Sequence, residues 1–168
     1  MNSKSRDQVG DLARSFDGMA ASIEGLLVDT ARKERLEAEI AIARTIQQKL
    51  LPPAEAELPG MSLRARFEPL AEIGGDYYDY ARAPDGRSVV AIGDVSGHGL
   101  STGLLVAMAK AGLSTLLESG FKGTDLFVKL NELIYRSTDS RNYMTLALFA
   151  YEPASREATL TNAGQLAP

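Results

Sequence analysis

The sequence predicts an α+β fold, with one long amino-terminal helix followed by a mainly antiparallel sheet and a flanking helix pair. Three observations carry this. Apolar residues from Leu12 onward recur at coiled-coil spacing, and the run is stopped by Pro52-Pro53. Two Gly-Asp steps, Gly75-Asp76 and Gly93-Asp94, stand at equal distances on either side of a turn sequence, Ala83-Pro84-Asp85-Gly86, with Asp85 at the midpoint. Strand-like and helix-like patterns are segregated along the chain rather than alternating, which argues against parallel βαβ units.

Leu12, Phe16, Met19, Ile23 and Leu26 follow one another at steps of four and three, the seam of a coiled coil. The spacing resumes at Leu36, Ile40 and Ala43, then Gln47 and Leu50, one residue out of phase. Two consecutive steps of three therefore intervene, a stammer that overwinds a supercoil locally. Arg32, Lys33, Glu34, Arg35, Glu37 and Glu39 occupy the other faces. The expected organisation is a connector helix in residues 1–51 and a globular domain in residues 52–168.

After Pro59-Gly60, Ser62 to Phe67 alternates Leu63, Ala65 and Phe67 with Arg64 and Arg66, a half-buried strand. Ile73 to Tyr80 and Ser88 to Gly93 form the hairpin arms. Val89-Val90-Ala91-Ile92 is apolar on both faces, which predicts a central strand. Leu104, Leu105, Met108, Leu113, Leu116 and Leu117 give a helix from Leu100 to Glu118, closed by Ser119-Gly120. A second helix is expected with Thr124 as N-cap, Asp125 in its first turn, and Leu126, Leu130, Leu133 and Ile134 as its stripe. Tyr143 to Tyr151 reads as a buried strand, Pro153 to Arg156 as a turn, and Glu157 to Thr161 as the returning strand.

The 168 residues are 45% apolar, enough for a core, and the net charge of −4 leaves no basic surplus for nucleic acid or an anionic membrane surface. With no cysteine and His98 as the single histidine, thiol catalysis, disulfides, Cys/His zinc sites and the usual Ser-His-Asp triad lose their ingredients. No stretch reaches the roughly 18 uncharged apolar residues of a membrane span, and Met-Asn-Ser-Lys-Ser-Arg-Asp is no signal-peptide core, so a soluble, cytoplasmic chain is expected.

Carboxylate chemistry remains. If the hairpin arms pair about Asp85, Asp76 faces Asp94 with Cβ atoms about 4.5–5.5 Å apart. Two such carboxylates repel, and a shared proton, a basic partner or a hard cation must offset them; we take the cation as the reading. Glycine before each aspartate removes bulk beside the carboxylate and lets backbone approach an ion or phosphate, which gives Gly74, Gly75 and Gly93 a functional reason. Strand alternation puts Asp76, Tyr78 and Tyr80 on one face and Tyr77 and Asp79 on the other, so Asp79 is the weaker ligand candidate. Gly97-His98-Gly99 leads into the Leu100 helix, whose first N–H groups, with the Ser101 and Thr102 hydroxyls, are candidates to face an anion. His98 itself reads as a solvated loop residue rather than a catalyst, and the tyrosines as strand packing rather than base stacking.

Five segments, Gln48-Lys-Leu-Leu-Pro52, Gly74-Gly-Asp-Tyr-Tyr-Asp79, Gly93-Asp-Val-Ser-Gly-His-Gly99, Met144-Thr-Leu146 and Thr161-Asn-Ala-Gly164, together resemble the PPM (type 2C) metal-dependent serine/threonine protein phosphatases, in their SpoIIE/RsbU-like bacterial branch. The resemblance implies a β-sandwich flanked by helix pairs, with two Mn²⁺ or Mg²⁺ ions at one end. Asp76 and Asp94 match the family's metal-binding catalytic aspartates, and the Val95 carbonyl matches its main-chain ligand; a role for Asp79 stays open. It further implies in-line attack of a metal-bound water on phosphoserine or phosphothreonine, on a phosphorylated STAS-domain protein of the anti-anti-sigma type, so that a sigma factor is released.

Asp7-Gln-Val-Gly-Asp-Leu-Ala-Arg-Ser-Phe-Asp-Gly-Met19 resembles the end of a HAMP signalling module. That implies a coiled coil, Leu12 to Leu50, that pairs two protomers and carries a rotation or shift into the phosphatase, with membrane attachment only through an upstream segment; a passive dimerising spacer is the alternative. The family domain continues past Thr-Asn-Ala-Gly into Gly-Asp and Thr-Asp-Gly motifs that supply further metal ligands, and Gln165 stands where relatives often carry histidine. The expectation is a truncated piece of a longer phosphatase with an incomplete metal site. Two other readings compete. One is a dimeric signalling scaffold that binds without turnover. The other is a diguanylate-type cyclase, which would place its Gly-Gly-acidic motif in the hairpin turn itself and draw a second aspartate from an upstream strand that Leu63 to Leu70 does not provide.

Overall fold

A computed structural model describes residues 8–68, 73–138 and 142–166; Asp7, the first residue of the HAMP-like motif, and Pro168 lie outside them. The elements are α1 (Gln8–Leu50), β1 (Glu55–Leu58), β2 (Met61–Arg64), β3 (Asp76–Arg82), β4 (Ser88–Val95), α2 (Leu100–Glu118), α3 (Gly123–Ser137), β5 (Met144–Glu152) and β6 (Glu157–Ala163). The chain divides into two compact units, Met1–Ala41 and Ile42–Pro168.

In the first unit α1 leaves its apolar seam bare: Leu12, Phe16, Met19, Ile23 and Leu26 are between 51% and 70% exposed. Intrahelical pairs Lys33–Glu37 (3.7 Å) and Arg35–Glu39 (3.1 Å) support the helix, each by about 0.3–0.5 kcal/mol. Such pairs do not offset the exposure of the seam.

The second unit is built on a four-stranded sheet, β3-β4-β5-β6, antiparallel throughout, and a separate antiparallel hairpin, β1-β2. Segregation of strands and helices is as the sequence requires, and β4 is central. One sheet face carries Tyr77, Val89, Ala91, Val95, Leu146 and Leu148, which are buried with Leu105, Val106, Leu113 and Leu117 of α2 and Leu126 and Leu130 of α3. Each large apolar side chain so buried contributes about 1.5–3 kcal/mol. By composition α2 is apolar enough to cross a membrane, with a mean hydropathy of 1.5. Its buried line, Thr102, Leu105, Val106, Ala109, Gly112, Leu113 and Leu117, makes it the core helix against the sheet. The α2–α3 approach depends on Gly112, where a Cβ would lie 2.6 Å from Leu133 Cδ2.

The opposite sheet face departs from expectation. Although β4 is apolar on both faces, Val90 is only half-buried and Ile92 is 57% exposed. The covering layer is short: the end of β2 and the stretch to Glu68 lie beside β3 and β4, and bound with them a cleft of about 520 Å³. Tyr78 and Tyr80 donate their hydroxyls to the carbonyls of Pro52 (3.0 Å) and Pro53 (2.7 Å), Ser88 donates to Pro59 O (2.9 Å), and the Phe67 and Tyr78 rings lie 6.0 Å apart. Among the described residues this is a partial sandwich, one full sheet with the start of a second layer.

Two local expectations are corrected. Thr124 is not the N-cap of α3: Lys122, in extended conformation, holds that position and its carbonyl accepts the Leu126 N–H at 3.3 Å. The cause is the end of α2, where Gly120 (φ 83°) and Phe121 return N–H bonds to Leu117 and Leu116 in a Schellman motif and leave a connection too short for a later start. The strand expected over Ser62 to Phe67 occupies Met61–Arg64, and its partner β1 was not foreseen.

Candidate metal centre

The register of β3 on β4 places Tyr80 opposite Val90, Tyr78 opposite Ile92 and Asp76 opposite Asp94, the symmetry about Asp85 that the spacing demands. The turn is closed by Gly86 N–H to Ala83 O (2.9 Å) and Ala83 N–H to Arg87 O (2.8 Å). At the far end Val95 N–H donates to Gly75 O at 3.0 Å, so Gly75 and Val95 form a hydrogen-bonded pair. In an antiparallel ladder the next pair, Asp76 and Asp94, is then the non-hydrogen-bonded kind, with Cα atoms about 4.5 Å apart and side chains closest. Both aspartates are exposed, on the sheet face turned away from α2 and α3. Two charges at about 4 Å repel by about 1 kcal/mol even in bulk water.

Gly75 forms one wall of the centre. A Cβ there would lie 2.1 Å from the Val95 carbonyl oxygen and 2.9 Å from Asp94 Oδ1. A carboxylate oxygen and a backbone carbonyl thus converge beside a position only glycine can occupy. Gly93 is different: its Cβ would meet Met144 Cε at 2.5 Å and Thr145 O at 2.8 Å, so it is required by the packing of β5 rather than by access to an ion.

The segment entering β3 is held from two sides. Gln47, 6% exposed in the last turns of α1, donates Nε2–H to Gly74 O (2.7 Å) and accepts the Gly74 N–H on Oε1 (3.3 Å). Gly99 N–H donates to Ile73 O at 3.3 Å, and the buried Ile73 packs where a Gly103 side chain would otherwise stand. The other arm is tied to β5 by Ser96 N–H to Tyr143 O (2.8 Å), Tyr143 N–H to Ser96 Oγ (3.0 Å) and Thr145 Oγ1–H to Asp94 O (3.3 Å). Sequence reasoning missed Gln47 as a site residue; its one signal was a polar residue at a seam position.

Asp79 lies on the opposite face and is committed elsewhere. It accepts from Lys110 Nζ (2.8 Å), the Tyr77 hydroxyl (3.0 Å) and the Tyr80 N–H (2.9 Å). Burial, the Asp79 charge and this hydrogen bond together push the Tyr77 hydroxyl far above the ordinary tyrosine range. His98 is exposed in the loop before α2, whereas Thr102 is 2% exposed and is not available to an anion in solution.

Among the described residues no group of three or more Asp, Glu, His or Cys side chains gathers. The centre therefore offers two carboxylates and a carbonyl, all hard oxygen donors, which suit Mg²⁺ or Mn²⁺ rather than a soft metal.

The sequence model of the family described as Stage II sporulation protein E (SpoIIE) matches residues 84–168. Phosphoserine phosphatase RsbU of Bacillus subtilis is 27% identical over 133 residues, covering 79% of this chain and 39% of that protein. Protein IcfG of Synechocystis sp. is 28% identical over 106 residues, covering 63% of this chain and 17% of that protein. The chain thus spans well under half the length of these curated relatives. Among solved structures, the SiaA-PP2C domain of Pseudomonas aeruginosa matches with a TM-score of 0.62 at 20% identity, over 79% of this chain and 55% of that one, which shows a shared fold.

Proposed function

Since the chain belongs to the SpoIIE family, we propose that it is part of a bacterial signalling protein phosphatase that hydrolyses phosphoserine or phosphothreonine with the help of Mn²⁺ or Mg²⁺. The observation that carries this reading is the convergence of Asp94 Oδ1 and the Val95 carbonyl beside Gly75, with Asp76 in the facing register position. Residues 52–168 would form the phosphatase domain and residues 1–51 the signalling helix. Asp76 and Asp94 would hold the cations, two in a complete domain, with Val95 O as a neutral ligand.

Such cations supply a nucleophilic water at neutral pH and offset charge on the phosphoryl oxygens. The chain's own contribution is placement. The narrow β3-β4 pair fixes the distance between the carboxylates, Gly75 leaves space for a ligand sphere, and Gln47 and the Ser96–Tyr143 bonds hold the two arms. Asp79, facing α2, would be a packing residue.

A phosphorylated STAS-domain protein is the proposed substrate, on the resemblance of the motifs; the relative named as a phosphoserine phosphatase supports the bond cleaved. A homodimer through the α1 seam is the proposed assembly. The scaffold reading draws support from the absence of a third carboxylate among the described residues. The cyclase reading draws none, since the Gly-Gly-Asp segment enters β3 and the turn is Ala83 to Arg87.

The test is phosphate release by the full chain from a phosphoserine STAS protein. Release that requires Mn²⁺ or Mg²⁺ and is lost in Asp94→Asn is the expected result. Stable binding without turnover would favour the scaffold, and turnover of GTP the cyclase.

A further inference from the structure

Resting on the proposed homodimer, we infer that two copies of α1 pair parallel and in register along Leu12 to Ile40, locked by reciprocal ion pairs Arg32–Glu37 and Glu39–Arg44 between the copies.

The seam residues Leu12, Phe16, Met19, Ile23 and Leu26, with Leu36 and Ile40 after the slip, are all substantially exposed. Beyond Ile40 the line turns to the chain's own globular unit, where Ala43 and Leu50 are half-buried and Gln47 is buried against Gly74. The seam thus stays open to a partner on both sides of the phase slip as far as Ile40, and from Ala43 onward it is already used by the chain itself.

With Leu36 at a d position and Ile40 at the following a position, Arg32 and Glu39 are g residues, and Glu37 and Arg44 are e residues. In a parallel two-stranded coiled coil each g residue faces the e residue five positions later on the other helix. Arg32 then meets Glu37 and Glu39 meets Arg44, opposite charges in two successive heptads, each formed twice. Lys33 lies in the slip as a polar layer, kept near Glu37 of its own helix (3.7 Å), and a single such layer fixes register.

Antiparallel pairing satisfies less. The register that covers the same apolar residues sets Leu12 against Ile40 and Met19 against Lys33, and turns Arg32 toward Ser15 and Glu37 toward Ala20, neither of which carries a charge. The antiparallel register that does pair these charges centres near residue 38. It leaves Leu12 to Ile23 uncovered and needs Gln47 and Leu50, which the chain's own unit covers.

The chain contains no cysteine, so a single introduced one reports geometry cleanly. Full-length Met19→Cys under mild oxidation is expected to crosslink to itself, because parallel pairing brings the two Cα atoms to about 6 Å, within disulfide reach. The competing antiparallel register separates them by about 21 Å along the axis. Sedimentation equilibrium is expected to show Arg32→Glu weakening the dimer roughly three- to tenfold, with Arg32→Glu/Glu37→Arg restoring it. A dimer in which Met19→Cys fails to crosslink, but mixed Met19→Cys and Lys33→Cys chains do, would overturn the parallel inference and leave the dimer standing. A monomer at tens of micromolar would overturn both.

Discussion

Gly75→Ala is the sharpest perturbation of the proposed centre. Its φ lies outside the left-handed region, so the effect is steric. The added Cβ would stand 2.1 Å from the Val95 carbonyl oxygen, more than 1 Å inside ordinary contact, and 2.9 Å from Asp94 Oδ1. The obstructing atom is main chain, and the Val95 N–H is already bonded to Gly75 O at 3.0 Å, so relief requires the two strand ends to separate. Overpacking of this kind costs about 1–3 kcal/mol. The larger consequence concerns ligation, because bonds to Mg²⁺ are about 2.1 Å long and tolerate little error, so a 1 Å displacement removes the donors from reach. Urea unfolding of the metal-free chain should show the modest stability loss, and calorimetric titration should show Mn²⁺ affinity falling at least about tenfold, the equivalent of 1.4 kcal/mol. Gly18→Ala, where nothing lies within 4 Å, is the control: it should stabilise α1 by about 0.5–1 kcal/mol and leave Mn²⁺ affinity unchanged. A Gly75→Ala chain that binds Mn²⁺ as the parent does would refute the cradle argument.

Asp94→Asn should abolish Mn²⁺ binding yet raise the stability of the metal-free chain by about 0.2–1 kcal/mol, since it removes a like-charge pair, as thermal melting with chelator would show. Asp79→Asn should do the reverse, costing about 2 kcal/mol through the Lys110 and Tyr77 bonds while metal affinity is kept. Gln47→Glu retains an acceptor for Gly74 N–H but cannot donate to Gly74 O, so it should weaken Mn²⁺ binding without unfolding the chain, as calorimetry beside circular dichroism would reveal. Burial alone would raise the Asp85 carboxyl, but hydrogen bonds from Lys122 and Arg87 bring it down from 3.8 to about 2. A depressed folded value means stability fully present above pH 3.8 and lost as pH falls toward 2, so the urea midpoint of Asp85→Asn should fall below that of the parent at pH 6 and approach it near pH 2.

The hairpin was legible because strand period and turn chemistry fix register together. Once Pro84-Asp85-Gly86 is the turn, equal spacing forces Asp76 opposite Asp94. The bounds of α2 were legible too, from an apolar stripe ended by Ser119-Gly120. The covering of the second face of β4 was hidden, because an apolar face says only that something covers it. The α3 cap was hidden because the tight α2–α3 connection overrides Thr124's local preference. Strand β1, Glu-Ala-Glu-Leu, alternates charged and apolar residues but is four residues long with no β-branched or aromatic side chain, too weak a signal alone, and is held by its partner through Ser62 to Glu57 (2.6 Å) and Arg64 to Glu55 (3.4 Å). The Gln47 clamp joins positions 27 residues apart, a separation no local pattern reports.

The most direct measurement is anomalous diffraction at the manganese edge from crystals of the chain grown with Mn²⁺. The account predicts a peak bounded by the Asp76 and Asp94 carboxylates and the Val95 carbonyl, at about 2.0–2.3 Å from at least one oxygen of each aspartate or its bound water. Carboxylates turned to separate sides, with no peak between them at saturating Mn²⁺, would contradict it.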